Sequence, residues 1–187
     1  MKHYMKEKID YSDSRGGVLG LARKKANRSG KGLIHVVAKK LWSYSLGTIA
    51  LWIPVSNLRV MLHRLRGVKI GKGVFIGTNV VIDNAYPESI RLEDDCAVNA
   101  NVTLIAHTNT YKHFKNLVDS HLDGIVVKKG AWIAIGSIVL PGVMIGEYSI
   151  VSAGSVVSKD VPPYSIVRGN PAKIVTKFPP GLIELDD

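Results

Sequence analysis

Three histidines that lie close together in the chain are the residues best suited to chemistry. His107, His113 and His121 are spaced six and eight residues apart. An imidazole can act as a general base near neutral pH or as a metal ligand. A catalytic zinc needs three protein ligands in a fixed geometry around an open position, and one flexible loop supplies such geometry poorly. The spacing therefore argues against a metal site.

These histidines follow a repeat of six residues, which must position them. An Ile, Leu or Val recurs at every sixth position in three runs, separated by gaps at 84–91 and 107–126. The runs are Ile70, Ile76 and Ile82; Leu92, Val98 and Leu104; and Val127, Ile133, Val139, Ile145, Val151 and Val157. A period of six fits neither a long strand nor a helix, but it fits a short strand plus a turn. Three such units form a triangular coil, so the repeat predicts about four stacked coils.

The two gaps are predicted to be loops that project from the coils. His107 opens the second loop, and Asp83 and Asn84 close the first coil where the first loop leaves it. Asp83 either orients His107 or is a turn residue that bonds its own backbone. Cys96, the single cysteine of the chain, falls on an inward position for small residues. We expect it to be a core residue rather than a nucleophile.

Positive charge is concentrated in the N-terminal third of the chain. Residues 1–73 contain 16 Lys or Arg and 3 Asp or Glu, a balance of +13. Residues 74–187 contain 9 basic and 12 acidic residues, a balance of −3. This distribution argues against a nucleic-acid-binding protein that is basic throughout. We expect residues 1–32 to form a poorly packed basic arm, without the apolar stretch of a secretory signal.

Two apolar stretches follow this arm. The first, residues 33–53, has an uninterrupted part of 15 residues at 41–55, whereas a spanning helix needs roughly 20. In the second, Asn57 as N-cap and Gly67 beyond the C-terminus predict a helix whose arginines lie away from its apolar face. That face carries Leu58, Met61, Leu62 and Leu65. We expect it to cap a neighbouring core; contact with a membrane surface is the alternative, because tryptophans and flanking cations also suit an interface.

A series of short motifs occupies the C-terminal part of the repeat. The motifs are Gly130-Ala131-Trp132-Ile133-Ala134, Leu140-Pro141-Gly142-Val143, Ile145-Gly146, Ser152-Ala153-Gly154-Ser155-Val156-Val157, Lys159-Asp160-Val161-Pro162-Pro163 and Gly169-Asn170-Pro171-Ala172-Lys173. With these motifs, the stretch from Ile70 to Val175 resembles the hexapeptide-repeat acyltransferases, and in particular the galactoside, maltose and polysaccharide O-acetyltransferases. The resemblance implies a left-handed parallel β-helix, and the handedness rests on the resemblance alone.

The resemblance also implies transfer of an acetyl group from acetyl-CoA to a hydroxyl or an amine. His107 matches the family's catalytic histidine and would remove the proton of the acceptor hydroxyl in a direct transfer. The alternative is a loop histidine that is bonded only to backbone. Asp83 would orient His107 or, together with Asn84, hold the acceptor sugar.

The resemblance further implies a slot for acetyl-CoA along the coils, between two subunits of a homotrimer. Trp132 matches the tryptophan that walls the pantetheine tunnel, and Ile135 and Ala153 would offer backbone amides and carbonyls to the pantetheine. Cations are needed near the phosphates. The matching positions near the adenine and the phosphates are Ser158, Lys159 and Lys173, and Arg168 is an extra cation in that region. The alternative for the lysines is a solvated surface.

We therefore expect an all-β solenoid, a left-handed β-helix at 67–175, preceded by a basic arm and helical region at 1–66 and followed by a short tail at 176–187. The predicted function is acetyl-CoA-dependent O-acetylation of a sugar or a polysaccharide precursor, with no metal and no nucleic-acid partner. We expect a cytoplasmic protein with peripheral membrane contact through its basic N-terminal region. Two alternatives stay open: acylation of a small molecule such as an amino sugar, an antibiotic or serine, and a non-catalytic scaffold at a membrane surface.

Overall fold

Two helices precede a long series of short strands. The computed structural model describes residues 7–8, 30, 32–114 and 116–183. Helix α1 is Leu33–Trp52 and helix α2 is Ser56–Leu65. Within the described ranges, no helix has both the length and the apolar character needed to cross a membrane.

Most strands belong to three sheets, in which neighbouring strands run parallel except for one C-terminal pair. The first sheet contains β2 (Lys69–Ile70), β5 (Ile90–Leu92), β10 (Ile125–Val127) and β13 (Met144–Ile145). The second contains β3 (Phe75–Ile76), β6 (Ala97–Val98), β11 (Trp132–Ile133), β14 (Ile150–Val151) and the C-terminal pair β16 (Ser165–Gly169) and β17 (Ala172–Lys177). The third contains β4 (Val81–Ile82), β7 (Thr103–Leu104), β12 (Ile138–Val139) and β15 (Val156–Val157). A small antiparallel sheet joins β1 (Glu7–Lys8), β8 (His107–Thr108) and β9 (His121–Leu122).

The chain visits the three parallel sheets in rotation. The sets β2–β4, β5–β7, β10–β12 and β13–β15 each contribute one strand to each sheet. The aliphatic residues of the repeat lie in register, so that Ile76 pairs with Val98, Val98 with Ile133 and Ile133 with Val151. Of the 12 aliphatic positions only Ile70 is not fully buried. The inward direction of the period-six residues is confirmed, and the arrangement fits a left-handed β-helix.

Cys96 is part of this core. Its side chain is inaccessible to solvent, and it packs with the other buried residues of the repeat. Burial raises the pKa of the Cys96 thiol to about 12. A thiol of this kind forms little thiolate near neutral pH and is a poor nucleophile.

Helix α2 closes the open edge of the first set of strands with three arginines. Strands β2, β3 and β4 stand at the end of their sheets, and the free edge of such a strand presents unpaired carbonyls. Arg59 Nε donates to the backbone oxygen of Ile76 over 2.8 Å. Arg66 donates to the backbone oxygen of Ile82 over 3.1 Å, and Arg64 donates to the backbone oxygen of Ile70 at the end of β2. Each of the three sheets therefore receives one arginine.

The start of α2 differs from the prediction, whereas its end agrees with it. The helix begins at Ser56 with Val55 as N-cap residue, and no side chain caps its first turn. The prediction of Asn57 as N-cap was therefore wrong. Gly67 follows the last turn with a φ of 104°, a left-handed conformation that suits glycine after a helix C-terminus.

The face that α2 turns towards the coils is also not the predicted one. Leu58, Met61 and Leu65 are exposed, and of the predicted apolar face only Leu62 is buried. Arg59 is 3% exposed, because the edge carbonyls beneath the helix need hydrogen-bond donors. The demand for donors at the sheet edge thus decides which side of the helix is buried.

Helix α1 packs on α2 through a small apolar cluster. Leu46 and Ala50 of α1 are buried against Leu62 of α2, and Ile53 between the helices packs against them. The buried side of α1 also includes Gly47, where the side chains of Asn84 and Arg66 take the space that a larger residue would need.

We expect Arg59→Met to lower the free energy of unfolding by about 1–3 kcal/mol, the cost of leaving buried polar groups without a partner. Methionine keeps an unbranched apolar side chain but cannot donate to the backbone oxygens of Ile76 and Ile53. The matched control is Arg64→Met, because Arg64 is exposed and water can replace it. Its effect should stay within about 0.5 kcal/mol in urea unfolding. Equal effects of the two variants would contradict the capping role.

Candidate active site

His107 lies where a loop leaves the parallel sheets. It begins β8, directly after Ala106, which is fully buried. Strand β8 pairs with β9, so the insertion leaves and rejoins the body as a short antiparallel ribbon. About 18% of the His107 side chain is exposed. The backbone behind the imidazole is thus held by the core while part of the ring reaches solvent.

Asp83 is the partner of His107. The side-chain atoms His107 Nδ1 and Asp83 Oδ2 are 2.5 Å apart. Asp83 directly follows β4 and its side chain is inaccessible to solvent. The contact with His107 supports the orienting role that the sequence left open for Asp83, and the bonds from the N–H groups of Ala85 and Tyr86 show that Asp83 is also a turn residue. A fully buried carboxylate is poorly placed to touch an acceptor.

Backbone amides hold the rest of the Asp83 carboxylate. Oδ1 accepts the N–H groups of Ala85 over 2.9 Å and Tyr86 over 3.1 Å, and Oδ2 accepts that of Ala106 over 2.9 Å. Burial alone would raise the pKa of Asp83, but the hydrogen bond and charge of His107 and the bonds from Tyr86 and Ala106 outweigh it. The net effect is a pKa below the usual value, so the carboxylate is ionised at neutral pH.

An ionised carboxylate dictates which nitrogen of His107 carries the proton. Asp83 can only accept hydrogen bonds, so Nδ1 of His107 must donate. In the neutral imidazole this leaves Nε2 with a free lone pair. The pair therefore has the chemistry of an oriented general base that takes up a proton at Nε2.

Tyr86 supports the same imidazole from the side. Its ring meets that of His107 edge-on, with 5.2 Å between the centroids and 66° between the planes. Such an arrangement is favourable for two aromatic rings and restricts rotation of the imidazole. The sequence prediction missed this residue. Tyr86 stands four residues after Ile82, and at the equivalent position of every other repeat unit the residue is small or β-branched.

Asn84 connects the site to the helices. Its Oδ1 accepts a hydrogen bond from Arg66 over 2.6 Å, and its backbone oxygen lies 3.5 Å from the hydroxyl of Ser43 in α1. The same arginine nitrogen donates to the backbone oxygen of Asp83 over 3.0 Å. Arg66 therefore fixes the backbone that carries the His107 partner, and the sequence did not indicate this role.

His63 holds Arg66 from the other side. Burial and the neighbouring Arg66 and Arg59 lower the pKa of His63 to about 3, so this imidazole is neutral at physiological pH. Its Nδ1 can then accept the hydrogen bond of Arg66, at 3.2 Å. His63 is buried and is a structural residue rather than a second base.

The residues that resemble the CoA-binding positions all lie on the surface of the coils. Trp132 and Ile135 are exposed, at 45% and 50%, on the turns and strands of the third set. The carbonyl of Ile135 accepts the N–H of Gly154, next to Ala153, so these two positions lie on neighbouring coils. The remaining predicted positions are also exposed: Ala153, Ser158, Lys159, Arg168 and Lys173. Arg168 and Lys173 pair directly across β16 and β17.

The other two histidines of the insertion are engaged differently. His121 Nδ1 lies 2.9 Å from the hydroxyl of Thr108 across the antiparallel ribbon, and His113 is exposed. Among the described residues, no three His, Cys, Asp or Glu side chains come together in a way that could hold a metal ion.

Models of two families match the repeat of this chain. "Bacterial transferase hexapeptide (six repeats)" matches residues 124–159, and "Hexapeptide repeat of succinyl-transferase" matches residues 67–106. Both matches lie within the three parallel sheets and the loops between them.

Two relatives extend the similarity beyond the repeat. YvoF of Bacillus subtilis (strain 168), named as an acetyltransferase, is 31% identical over 129 residues, which cover 68% of this chain and 71% of YvoF. WcaF of Escherichia coli (strain K12), named as a colanic acid biosynthesis acetyltransferase, is 32% identical over 161 residues. That alignment covers 75% of this chain and 87% of WcaF.

The fold has a counterpart in the hexapeptide-repeat containing acetyltransferase VCA0836 from Vibrio cholerae. Its structure aligns with a TM-score of 0.63 at 24% identity and covers 75% of this chain and 90% of that one. Its complex with acetyl-coenzyme A aligns with a TM-score of 0.57 at 22% identity, over 76% and 88% of the two chains. At these identities the likeness concerns the fold. This chain is also 31% identical to YvoF and 32% identical to WcaF over most of their length, and it therefore belongs to the hexapeptide-repeat acyltransferase family.

Proposed function

We propose that this protein transfers the acetyl group of acetyl-CoA to a hydroxyl of a sugar or a polysaccharide precursor. The observation that carries the proposal is the His107–Asp83 pair, in which a buried carboxylate held by three backbone amides orients a partly exposed imidazole. A sugar hydroxyl has a high pKa and needs such a base to become a nucleophile at neutral pH. The relative WcaF is named for colanic acid biosynthesis, which supports an acceptor of a biosynthetic pathway of that kind.

In the proposed mechanism His107 acts twice. Nε2 removes the proton of the acceptor hydroxyl while the hydroxyl oxygen attacks the thioester carbon, and a backbone amide stabilises the resulting oxyanion. Collapse of this intermediate breaks the carbon–sulfur bond, and the departing CoA thiolate takes the proton from the imidazolium. The products are the acetyl ester and CoA. Asp83 keeps Nδ1 protonated throughout and stabilises the transient positive charge; Asn84 remains a candidate contact for the acceptor.

We assign acetyl-CoA to the exposed side of the coils. Trp132, Ile135 and Ala153 would bind the pantetheine, and the polar and cationic positions would bind the adenine and the phosphates. The latter are Ser158, Lys159, Arg168 and Lys173. The exposed apolar side chains on the same surface suit contact with a second copy, in line with a homotrimer of four-coil left-handed β-helices with sites between subunits.

The test is release of CoA from acetyl-CoA by the purified protein, measured with a panel of sugars, lipid-linked glycans, amino sugars and serine. A glycan hydroxyl should raise the rate above hydrolysis, and mass spectrometry should find one added acetyl group. Preference for an amino sugar or serine would support the small-molecule alternative. Failure to bind acetyl-CoA in calorimetry would instead support a non-catalytic scaffold.

We expect Lys173→Ala to raise the KM for acetyl-CoA about tenfold with little change in kcat, since a charge-assisted bond to a phosphate contributes about 1.5–3 kcal/mol. Lys177→Ala is the matched control, because Lys177 is exposed on the same strand and matches no cofactor position. It should leave the KM unchanged. The assignment of Lys173 fails if both variants behave alike.

A further inference from the structure

The outward side of helix α1 carries an uncharged stripe that runs from its first turn to its last residue. Six exposed residues recur every three or four positions and so share one side of the helix. They are Ile34, Ala38, Leu41, Ser45, Ile49 and Trp52. Ile34 and Trp52, at the two ends, are 86% and 82% exposed. We call these six residues, with the adjacent exposed Trp42, the α1 apolar face.

This face is not the side by which α1 packs on the protein. The side that faces the body is formed by Val36, Ser43, Leu46, Gly47 and Ala50, all of which are buried. The helix is thus apolar on both sides, and packing on the body uses only one of them. Soluble proteins rarely leave an apolar stripe of about 27 Å, the length of 18 helical residues, in contact with water alone.

Helix α2 adds a second exposed apolar row. Leu58, Met61 and Leu65 lie at i, i+3 and i+7 and are each 44% or more exposed. They are outside because the arginine side of α2 is committed to the sheet edge. The two helices together therefore present far more apolar surface than the coils require.

The charge of the chain near α1 in the sequence indicates what covers the face. Residues 14–82 contain 13 Lys or Arg and no Asp or Glu. Three of these, Arg59, Arg64 and Arg66, bond the edge carbonyls. Six of the remaining ten lie at positions 15–31, directly before α1 in the sequence. A second copy of this region would bring like charges together, whereas anionic lipid headgroups attract them.

We propose that the α1 apolar face inserts at the surface of a bilayer that contains anionic lipid. Tryptophan and aliphatic side chains enter the boundary between headgroups and acyl chains, and the basic residues contact the headgroup phosphates. On the opposite side of the helix, Ser43 contacts the backbone oxygen of Asn84, next to Asp83. Helix α1 therefore lies between the membrane and the segment that holds the partner of His107.

The test is flotation of the full-length protein with vesicles of phosphatidylcholine alone or with about a third of phosphatidylglycerol. We expect binding to the anionic vesicles, weak binding to the neutral ones, and loss of binding at about 0.5 M salt, which screens surface charge within a few ångströms. Replacing both Trp42 and Trp52 by serine should lower the partition coefficient about tenfold or more, because two aromatic side chains no longer enter the bilayer.

The matched control is Phe75→Ser, which also replaces an exposed aromatic residue, 46% accessible, but on the coils. It should bind vesicles like the wild type. Circular dichroism verifies that both variants are folded. Equal binding of the double variant and the wild type would overturn the proposal. So would a change of oligomeric state in the double variant without vesicles, since a second copy would then cover the face.

Discussion

Replacing His107 by alanine is expected to lower kcat by about 10²–10⁴, the usual contribution of a positioned general base. Nε2 is the imidazole nitrogen that the contact with Asp83 leaves available, and no other described side chain shares that contact. Because Asp83 and the backbone amides around it remain, the KM for acetyl-CoA should change little. Steady-state kinetics of CoA release with a saturating acceptor measures both parameters.

His113→Ala is the matched control for this variant. His113 lies in the same insertion, in a short turn at Lys112–Phe114, and its side chain is exposed. It should keep kcat close to the wild-type value. If His107→Ala retains more than about a tenth of the wild-type rate, the base has been assigned to the wrong residue, because that residual rate exceeds what loss of a base permits.

The repeat could be predicted from the sequence because each unit is a local pattern with one buried position. The register of Ile76, Val98 and Ile133 follows from the order of the repeats, because each is the second aliphatic position of its run. A hand for the coils could not be derived in this way, since spacing is the same in a left-handed and a right-handed coil. That expectation depended on the resemblance to a family.

The direction of helix α2 could not be predicted, although its extent nearly could. An apolar stripe predicts which residues share a side, but it does not say what the neighbouring surface needs. Here the neighbour is a sheet edge, whose carbonyls require the donors of Arg59 and Arg66. Leu58 and Met61 are consequently left outside.

The sequence could indicate candidate residues whose type limits the chemistry. It could not indicate residues that act only through a neighbour. His107 and Asp83 stand at the two loop junctions, so a repeat interrupted twice draws attention to them. Arg66 is distant in sequence and acts only through the backbone of Asp83 and the amide of Asn84. Such a role depends on three-dimensional packing of α2 against the first coil.

Asp83→Asn is expected to lower kcat by about 10²–10³, although asparagine has nearly the same size and shape as aspartate. The carboxylate accepts from Ala85 and Tyr86 on one oxygen and from Ala106 and His107 on the other. An asparagine keeps one acceptor oxygen and turns an NH2 group to the other side. When that NH2 faces His107, Nδ1 must accept, the proton moves to Nε2, and the base loses its lone pair.

The kinetic signature separates positioning from acceptor binding. If Asp83 positions His107, Asp83→Asn lowers kcat and alters its pH profile while the KM for the acceptor stays within about twofold. If Asp83 instead held the acceptor, the KM for the acceptor would rise and the pH profile of kcat would be unchanged. The second pattern would contradict the role argued from the buried carboxylate.

The same substitution should change how stability depends on pH. The folded-state pKa of Asp83 lies below its usual value, so its ionised form stabilises the native state above about pH 4, the pKa of an unfolded aspartate. This contribution is lost as the pH falls through the folded-state pKa. The difference in unfolding free energy between wild type and Asp83→Asn should therefore be largest near neutral pH and shrink below about pH 4. If the difference instead stays constant down to acid pH, the backbone amides of Ala85, Tyr86 and Ala106 do not stabilise the charge of Asp83, which would contradict this role.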